Sequence, residues 1–166
     1  KVSDAAAASL IKHQGILDLN GLTEISDAAA ESLSKHEGES LGLGGLLKLS
    51  DATAEFLSKH TGSLGFRGLT ALSDNAAESL SKHEGESLGL GGLTKLSDVA
   101  AAQLGSHNNL YTNTKIKRQI KKAVSARNQQ SRKSAKTGKS VLTKKQSIKL
   151  RKLFRSKDVD NVLIAV

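Results

Sequence analysis

The chain has no Cys, Pro, Met or Trp, and its 166 residues include only one Tyr and three Phe. Without Cys, disulfides, thiolate-bound zinc and thiol nucleophiles are all excluded, while the redox compartment is left open. With aromatics at 2%, a core has to come from Leu, Ala, Ile and Val. That suits an array in which each module buries its apolar face on the next. No apolar run approaches the roughly 20 residues that span a bilayer. The chain opens at Lys1 rather than Met, so a removed targeting segment stays open, and a cytoplasmic location is the default expectation.

Acidic residues are also scarce, but only in one part. Residues 108–166 hold 2 Asp+Glu against 17 Lys+Arg, a net of +15, whereas residues 1–107 hold 14 against 8, a net of −6. Two physically different segments meet near residues 107–109.

What is present is repetition. The stretch AESLSKHEGESLGLGGL at residues 30–46 recurs unchanged at residues 77–93. A fixed period identifies an array of like modules before any local propensity is weighed. Ser-Asp pairs stand at 3-4, 26-27, 50-51, 73-74 and 97-98, with steps of 23, 24, 23 and 24, and His13, His36, His60, His83 and His107 keep the same steps. The chain therefore holds five modules.

Each module divides in two. Residues 26–36, SDAAAESLSKH, predict a helix of about three turns, rich in Ala and free of β-branched residues. Ser26 is placed to N-cap it, Asp27 suits the positive end of the helix dipole, and Gly38 follows where a C-terminal glycine belongs. Glu31 with Lys35, Glu55 with Lys59 and Glu78 with Lys82 are i,i+4 pairs in the favourable order, each worth about 0.2–0.5 kcal/mol. The other half reads L-x-L-x-x-L-x-x-[LI]. It occurs as Leu17, Leu19, Leu22, Ile25, then Leu41, Leu43, Leu46, Leu49, then Leu64, Phe66, Leu69, Leu72, then Leu88, Leu90, Leu93, Leu96. Alternation of this kind predicts a very short strand with both leucines on one face.

At these residues the chain resembles the leucine-rich repeat family, more closely its bacterial 23-residue (BspA-like) class. Ile25-Ser26-Asp27-Ala28-Ala29-Ala30 sits where that class has an apolar residue, a small or polar residue, then an Ala-plus-apolar pair. The pattern departs in lacking the Pro usual after the strand and the Phe usual on the helix. Ala30 and Leu33 take over the inward filling, which implies a closer approach of helix to strand. The resemblance implies an α/β solenoid, a parallel array of short strands and short helices over residues 1–111. A basic α-helical segment, truncated within a larger helical domain, would occupy residues 112–166. It also implies a non-catalytic protein–protein interaction scaffold.

On such a scaffold the residues between and after the paired leucines would face a partner. These are Asp18, Asn20, Gly42, Gly44, Gly65, Arg67, Gly89 and Gly91. Glycine weakens a strand and often marks the close approach of another backbone. The expected occupant of this face is the chain's own C-terminal segment, a second copy or another protein. Small residues left where nothing was required are the plain alternative.

The His column invites a metal reading, but each His ends a helix, where a partial positive charge suits the dipole. Its neighbours are Lys before (Ser before His107) and Gln, Glu, Thr or Asn after, so helix capping is the expectation and no metal is assigned. The Ser-Asp column reads as caps for the same reason. Acids and His lie at opposite helix ends, no nucleophile, base and orienting group converge, and no catalytic residue or cofactor is assigned. Thr137-Gly138-Lys139-Ser140 mimics the end of a phosphate-binding loop, yet Lys133 stands where the pattern needs Gly.

In the basic part, residues 115–134 predict a helix with Ile116, Ile120, Ala123 and Val124 on one stripe. Residues 129–139 predict a polar linker, residues 144–155 a second helix opened by Thr143 and Gln146, and residues 159–166 a third. Lys117, Arg118, Lys121, Lys122, Arg127, Arg132, Lys133, Lys144, Lys145, Lys149, Arg151 and Lys152 form a candidate anion-binding set. RNA, DNA or a membrane surface is one partner class for it. Docking onto the acidic array and a merely solubilising face are the other two readings. A nucleic-acid-associated role is thus the alternative to the interaction scaffold.

Overall fold

The structure, a computed structural model, describes the backbone of residues 1–153 and the side chains of residues 1–135. Helices and strands alternate as α1 (Asp4–Leu10), β1 (Ile16–Asp18), α2 (Asp27–Ser34), β2 (Ser40–Gly42), α3 (Asp51–Leu57), β3 (Ser63–Gly65), α4 (Asp74–Ser81), β4 (Leu88–Leu90), α5 (Asp98–Leu104), β5 (Leu110–Thr112) and α6 (Thr114–Leu153). The five strands form one parallel sheet in chain order. Leu17 pairs with Leu41, Leu41 with Leu64, Leu64 with Leu88 and Leu88 with Leu110, so equivalent leucines stand on adjacent rungs. The result is an α/β repeat arrangement followed by a helix. The expected helix at residues 159–166 lies outside the described residues.

Each helix begins for a local reason. Ser3, Ser26, Ser50, Ser73 and Ser97 all have extended backbone, and each Oγ accepts a hydrogen bond from the backbone N–H three residues on. That satisfies a donor the helix would otherwise leave orphaned and contributes about 1 kcal/mol per cap. The three i,i+4 ion pairs form at 3.1, 3.7 and 2.9 Å on the solvent side.

The core lies between the helices and the sheet. Leu41, Leu43, Leu46, Phe66, Leu69, Leu88, Leu90 and Leu93 are fully buried, as are Ala29, Ala30 and Leu33 of α2 and their equivalents in α3, α4 and α5. Burying one leucine side chain contributes about 1.5–3 kcal/mol.

Two glycine columns let successive modules come together. A Cβ placed on Gly45, Gly68 or Gly92 would stand 2.3, 2.5 or 2.0 Å from a carbonyl oxygen of the preceding module, belonging to Asn20, Gly44 or Arg67. Gly38, Gly62 and Gly85 are confined in the same way, by the Gly15, Glu39 and Gly62 carbonyls at 2.2, 2.5 and 2.1 Å. Gly38 is therefore not the left-handed terminator of α2 that its position suggested. The helix ends at the Lys35 cap, and among the described residues only Gly15 has positive φ.

The contacts divide the chain into two compact units, Lys1–Ser125 and Ala126–Val166. Within the first, α6 starts directly after β5. Asn113 Oδ1 accepts from Ile116 N at 3.1 Å as its cap. Ile116, Ile120 and Ala123 are buried against the repeat core, and a Cβ on Gly105 would lie 2.3 Å from Val124 Cγ2. Lys115 Nζ donates to the Thr94 carbonyl at 3.1 Å and Gln119 Nε2 to the Leu96 carbonyl at 2.6 Å. The apolar stripe read from the sequence thus closes the last module. The polar stretch at residues 129–139 is helical rather than a linker, because α6 is continuous to Leu153. Lys, Arg, Gln and Ala are all good helix formers, and the single interruption, Gly138, costs about 1 kcal/mol.

Replacing Gly92 by Ala should cost about 1–3 kcal/mol, since the new methyl group has only backbone to push against. Gly65→Ala, whose Cβ would meet nothing nearer than 4.0 Å, should stay within about 0.5 kcal/mol of the parent. Urea denaturation of the two variants measures the difference.

Candidate interaction surface

Side chains alternate across a strand, so the residues between the buried leucines emerge on the sheet's other side. There the register lines up Asp18, Gly42, Gly65, Gly89 and Tyr111 on neighbouring strands. The residues two further on are Asn20, Gly44, Arg67, Gly91 and Asn113. The register thus brings Asp18, Gly42, Gly65 and Gly89 together on one side of the sheet, and Asn20, Gly44, Arg67 and Gly91 lie in the turns just past the strands, with Asn20 against Gly44. The three central glycines are partly exposed, while Asp18, Arg67 and Tyr111 stand fully in solvent.

Gly65, Gly89 and Gly91 differ from the two confined columns, whereas a Cβ on Gly42 or Gly44 would stand 3.2 or 2.5 Å from Asn20 Oδ1. A Cβ on Gly65 would meet only the Gly42 Cα, at 4.0 Å, and one on Gly89 the Leu64 carbonyl and Gly65 Cα at 3.5 and 3.6 Å. One on Gly91 would meet nothing within 4 Å. Packing between modules does not require glycine here, and no described element covers these positions. The face is bare parallel backbone at Gly65 and Gly89, beside the Asn20 side chain that lies over Gly42 and Gly44.

Polar side chains mark both ends of the face. At the first strand Asp18 Oδ1 accepts from Asn20 N at 2.9 Å, and Asn20 Oδ1 accepts from Gly44 N at 2.6 Å. At the last strand Asn113 Nδ2 donates to the Gly91 and Leu93 carbonyls at 3.2 and 2.6 Å. Tyr111, 67% exposed, stands one strand beyond Gly89. Tyr111 and Asn113 belong to the face but escape the sequence pattern. Their module spells its strand Leu-Tyr-Thr and sits 22 rather than 23 or 24 residues after its predecessor. The chain's own C-terminal segment, expected as one occupant, is placed otherwise as far as Ser125: it lies against Thr94, Leu96 and Gly105.

The middle of the His column is buried, contrary to the expectation of positively charged helix caps. His36, His60 and His83 are 1%, 1% and 4% exposed. Their rings stack with those of neighbouring modules: His13 on His36 at 5.8 Å, His36 on His60 at 5.5 Å, and His83 on His107 at 5.8 Å between centroids. His60 Nδ1 accepts from Gly62 N at 2.9 Å, and His107 Nδ1 accepts from Asn109 N at 3.2 Å, so the imidazoles shape the turn after each helix. Burial holds the His60 imidazole below the usual histidine range, with His36 and His83 adding to it. Burial acts likewise on His36, helped by His13, and on His107, helped by His83. A sequence shows the period of such a column but not its depth. Stacked rings aim their nitrogens side by side, and among the described residues no group of three or more His, Asp or Glu could hold a metal ion.

The Ser-Asp column proves to be a ladder between modules as well as a set of caps. Asp4 accepts from the Ser26 hydroxyl, Asp27 from Ser50, Asp51 from Ser73 and Asp74 from Ser97. Thr53 Oγ1 also donates to Asp27 at 2.6 Å, and Asn75 Nδ2 to Asp51 at 2.9 Å. The Thr53 and Ser50 hydroxyls hold the Asp27 carboxyl below the usual carboxylate range. The Ser73 hydroxyl and the Asn75 amide do the same for Asp51.

The candidate anion-binding residues all lie on α6. Lys117, Arg118, Lys121, Lys122, Arg127, Arg132 and Lys133 are exposed, and Lys144, Lys145, Lys149, Arg151 and Lys152 have described backbone only. Thr137-Gly138-Lys139-Ser140 lies inside the same helix, not on a loop between strand and helix. Among the described residues no helix is long and apolar enough to cross a membrane.

The shifts set two pH windows. Histidines with lowered folded pKa add stability that is complete above the unfolded value of about 6.5 and is lost as pH falls below it. The lowered carboxylates add stability that persists above about 3.9 and is lost as pH falls through their folded values. Melting temperature should therefore decline between pH 7.5 and 5.5, well before the carboxylates titrate. His60→Asn keeps an acceptor near Nδ1 for the Gly62 N–H but cannot titrate. It should melt lower at pH 7.5 and lose less on acidification, by at most about 1.4 kcal/mol per pH unit. Calorimetric melts of both proteins across this range measure the two slopes. The sequence matches no protein-family model, and no curated protein or solved structure is significantly similar to it.

Proposed function

We propose that residues 1–111 form a solenoid of the leucine-rich-repeat type, and that the chain is a non-catalytic scaffold for protein–protein interaction. The observation that carries this reading is the bare backbone at Gly65 and Gly89, left open although the packing of modules does not require glycine there. A flat partner surface can approach such backbone closely. Asp18 and Asn20 at one end, Arg67 in the middle and Tyr111 at the other supply the polar and aromatic anchors. An exposed Tyr beside small residues is the composition that concentrates binding energy at interfaces. The partner is another protein or a second copy of this chain.

Gly65→Arg with Gly89→Arg tests the reading, because both sites have room for a side chain pointing outward. The double variant should keep its melting temperature within about 3 °C while losing association. Sedimentation velocity over a concentration series reads self-association. A photo-crosslinking residue replacing Tyr111, followed by mass spectrometry, reads other partners. Sedimentation and crosslinks unchanged in the double variant would remove this face from consideration.

A further inference from the structure

We propose that the exposed basic side of α6 binds the phosphate backbone of a DNA duplex. This goes beyond the scaffold reading and rests on a different surface. The helix contains no acidic residue. At 100° per residue, Lys117, Arg118, Lys121 and Lys122 fall within about 140° of its circumference, away from the buried Ile116, Ile120 and Ala123. The ion pairs among the described residues are Lys35–Glu31, Lys59–Glu55 and Lys82–Glu78, so none neutralises this arc. Lys117 with Lys121 and Arg118 with Lys122 are like-charge i,i+4 pairs, which oppose the helix unless an external anion offsets them.

The next part of α6 narrows the choice of anion. Every residue at positions 126–135 is exposed, and only Ala126 and Ala135 among them are apolar. A helix lying on a lipid surface needs an apolar face to bury. Residues 126–135 have none, and the stripe of residues 116–123 is already spent on the repeat core. A polar helical stretch exposed all round and carrying Arg127 and Arg132 fits a groove lined by phosphates. The B-form major groove, about 12 Å wide, admits an α-helix, whereas the A-form major groove of RNA is too narrow. Single strands would call for stacking aromatics, and residues 113–135 contain none.

The test is titration of the full chain with a fluorescent 30-base-pair DNA duplex of mixed sequence between 50 and 200 mM salt. The same-length RNA duplex, phosphatidylserine vesicles and polyglutamate serve as parallel probes. Affinity for DNA should fall about 10³–10⁵-fold over that range, as for 6–10 phosphate contacts. Replacing Lys117, Arg118, Lys121 and Lys122 by Gln should reduce the slope of log affinity against log salt by about 3–4. Arg127→Gln with Arg132→Gln, made separately where packing is not at stake, should reduce it by about 2. No binding at 50 mM salt, tighter binding to vesicles or polyglutamate, RNA bound as tightly as DNA, or unchanged slopes in both variants would each overturn the proposal.

Discussion

Close approach of one module's backbone to the next is the constraint on which the array depends. With aromatics at 2%, the core consists of leucines one rung apart and alanines on the helices. Such a core stays free of voids only if neighbouring modules come into van der Waals contact. The confined glycines at 38, 62 and 85 and at 45, 68 and 92 make that contact possible, since any Cβ there would strike a carbonyl of the preceding module. Strand pairing and the Ser-to-Asp ladder follow from the same spacing.

Polar groups are arranged to serve that stacking. Each Ser hydroxyl has one proton and two lone pairs. It accepts from its own helix while donating to the carboxylate one module back, so a single side chain both starts a helix and fixes its distance from its neighbour. The imidazoles act in parallel at the opposite helix ends. Neighbouring rings stack, and His60 and His107 accept a backbone N–H in the following turn, which requires their neutral form. Burial supplies that neutrality. The array is thereby coupled to mild acid through groups inside it rather than through its surface charge.

Where the stacking does not require glycine, the sheet is nevertheless bare. Gly65 and Gly89 have room outside them, and this separates a surface open to a partner from the glycines that assembly demands. At the other end of the molecule, α6 uses one stripe to cover the last module and leaves its charged side to solvent. Its first three turns are structural and electrostatic at once. The apolar half serves the fold, and the basic half remains available.

The sequence by itself determined the module boundaries, the helix starts and the short strands. These rest on interactions within about ten residues: a Ser hydroxyl reaching the third N–H, and alternating leucines that need a single face. It also placed Asp18, Gly42, Gly65 and Gly89 on one surface, because alternation along a strand does not depend on neighbours. Only the tertiary structure decided which glycines are confined and which are open, since the difference lies in a carbonyl 23 to 25 residues away. It also decided that His36, His60 and His83 are buried, that Tyr111 and Asn113 extend the face, and that residues 116–123 close the core. Depth and partnership arise from contacts between modules, and no local pattern encodes them.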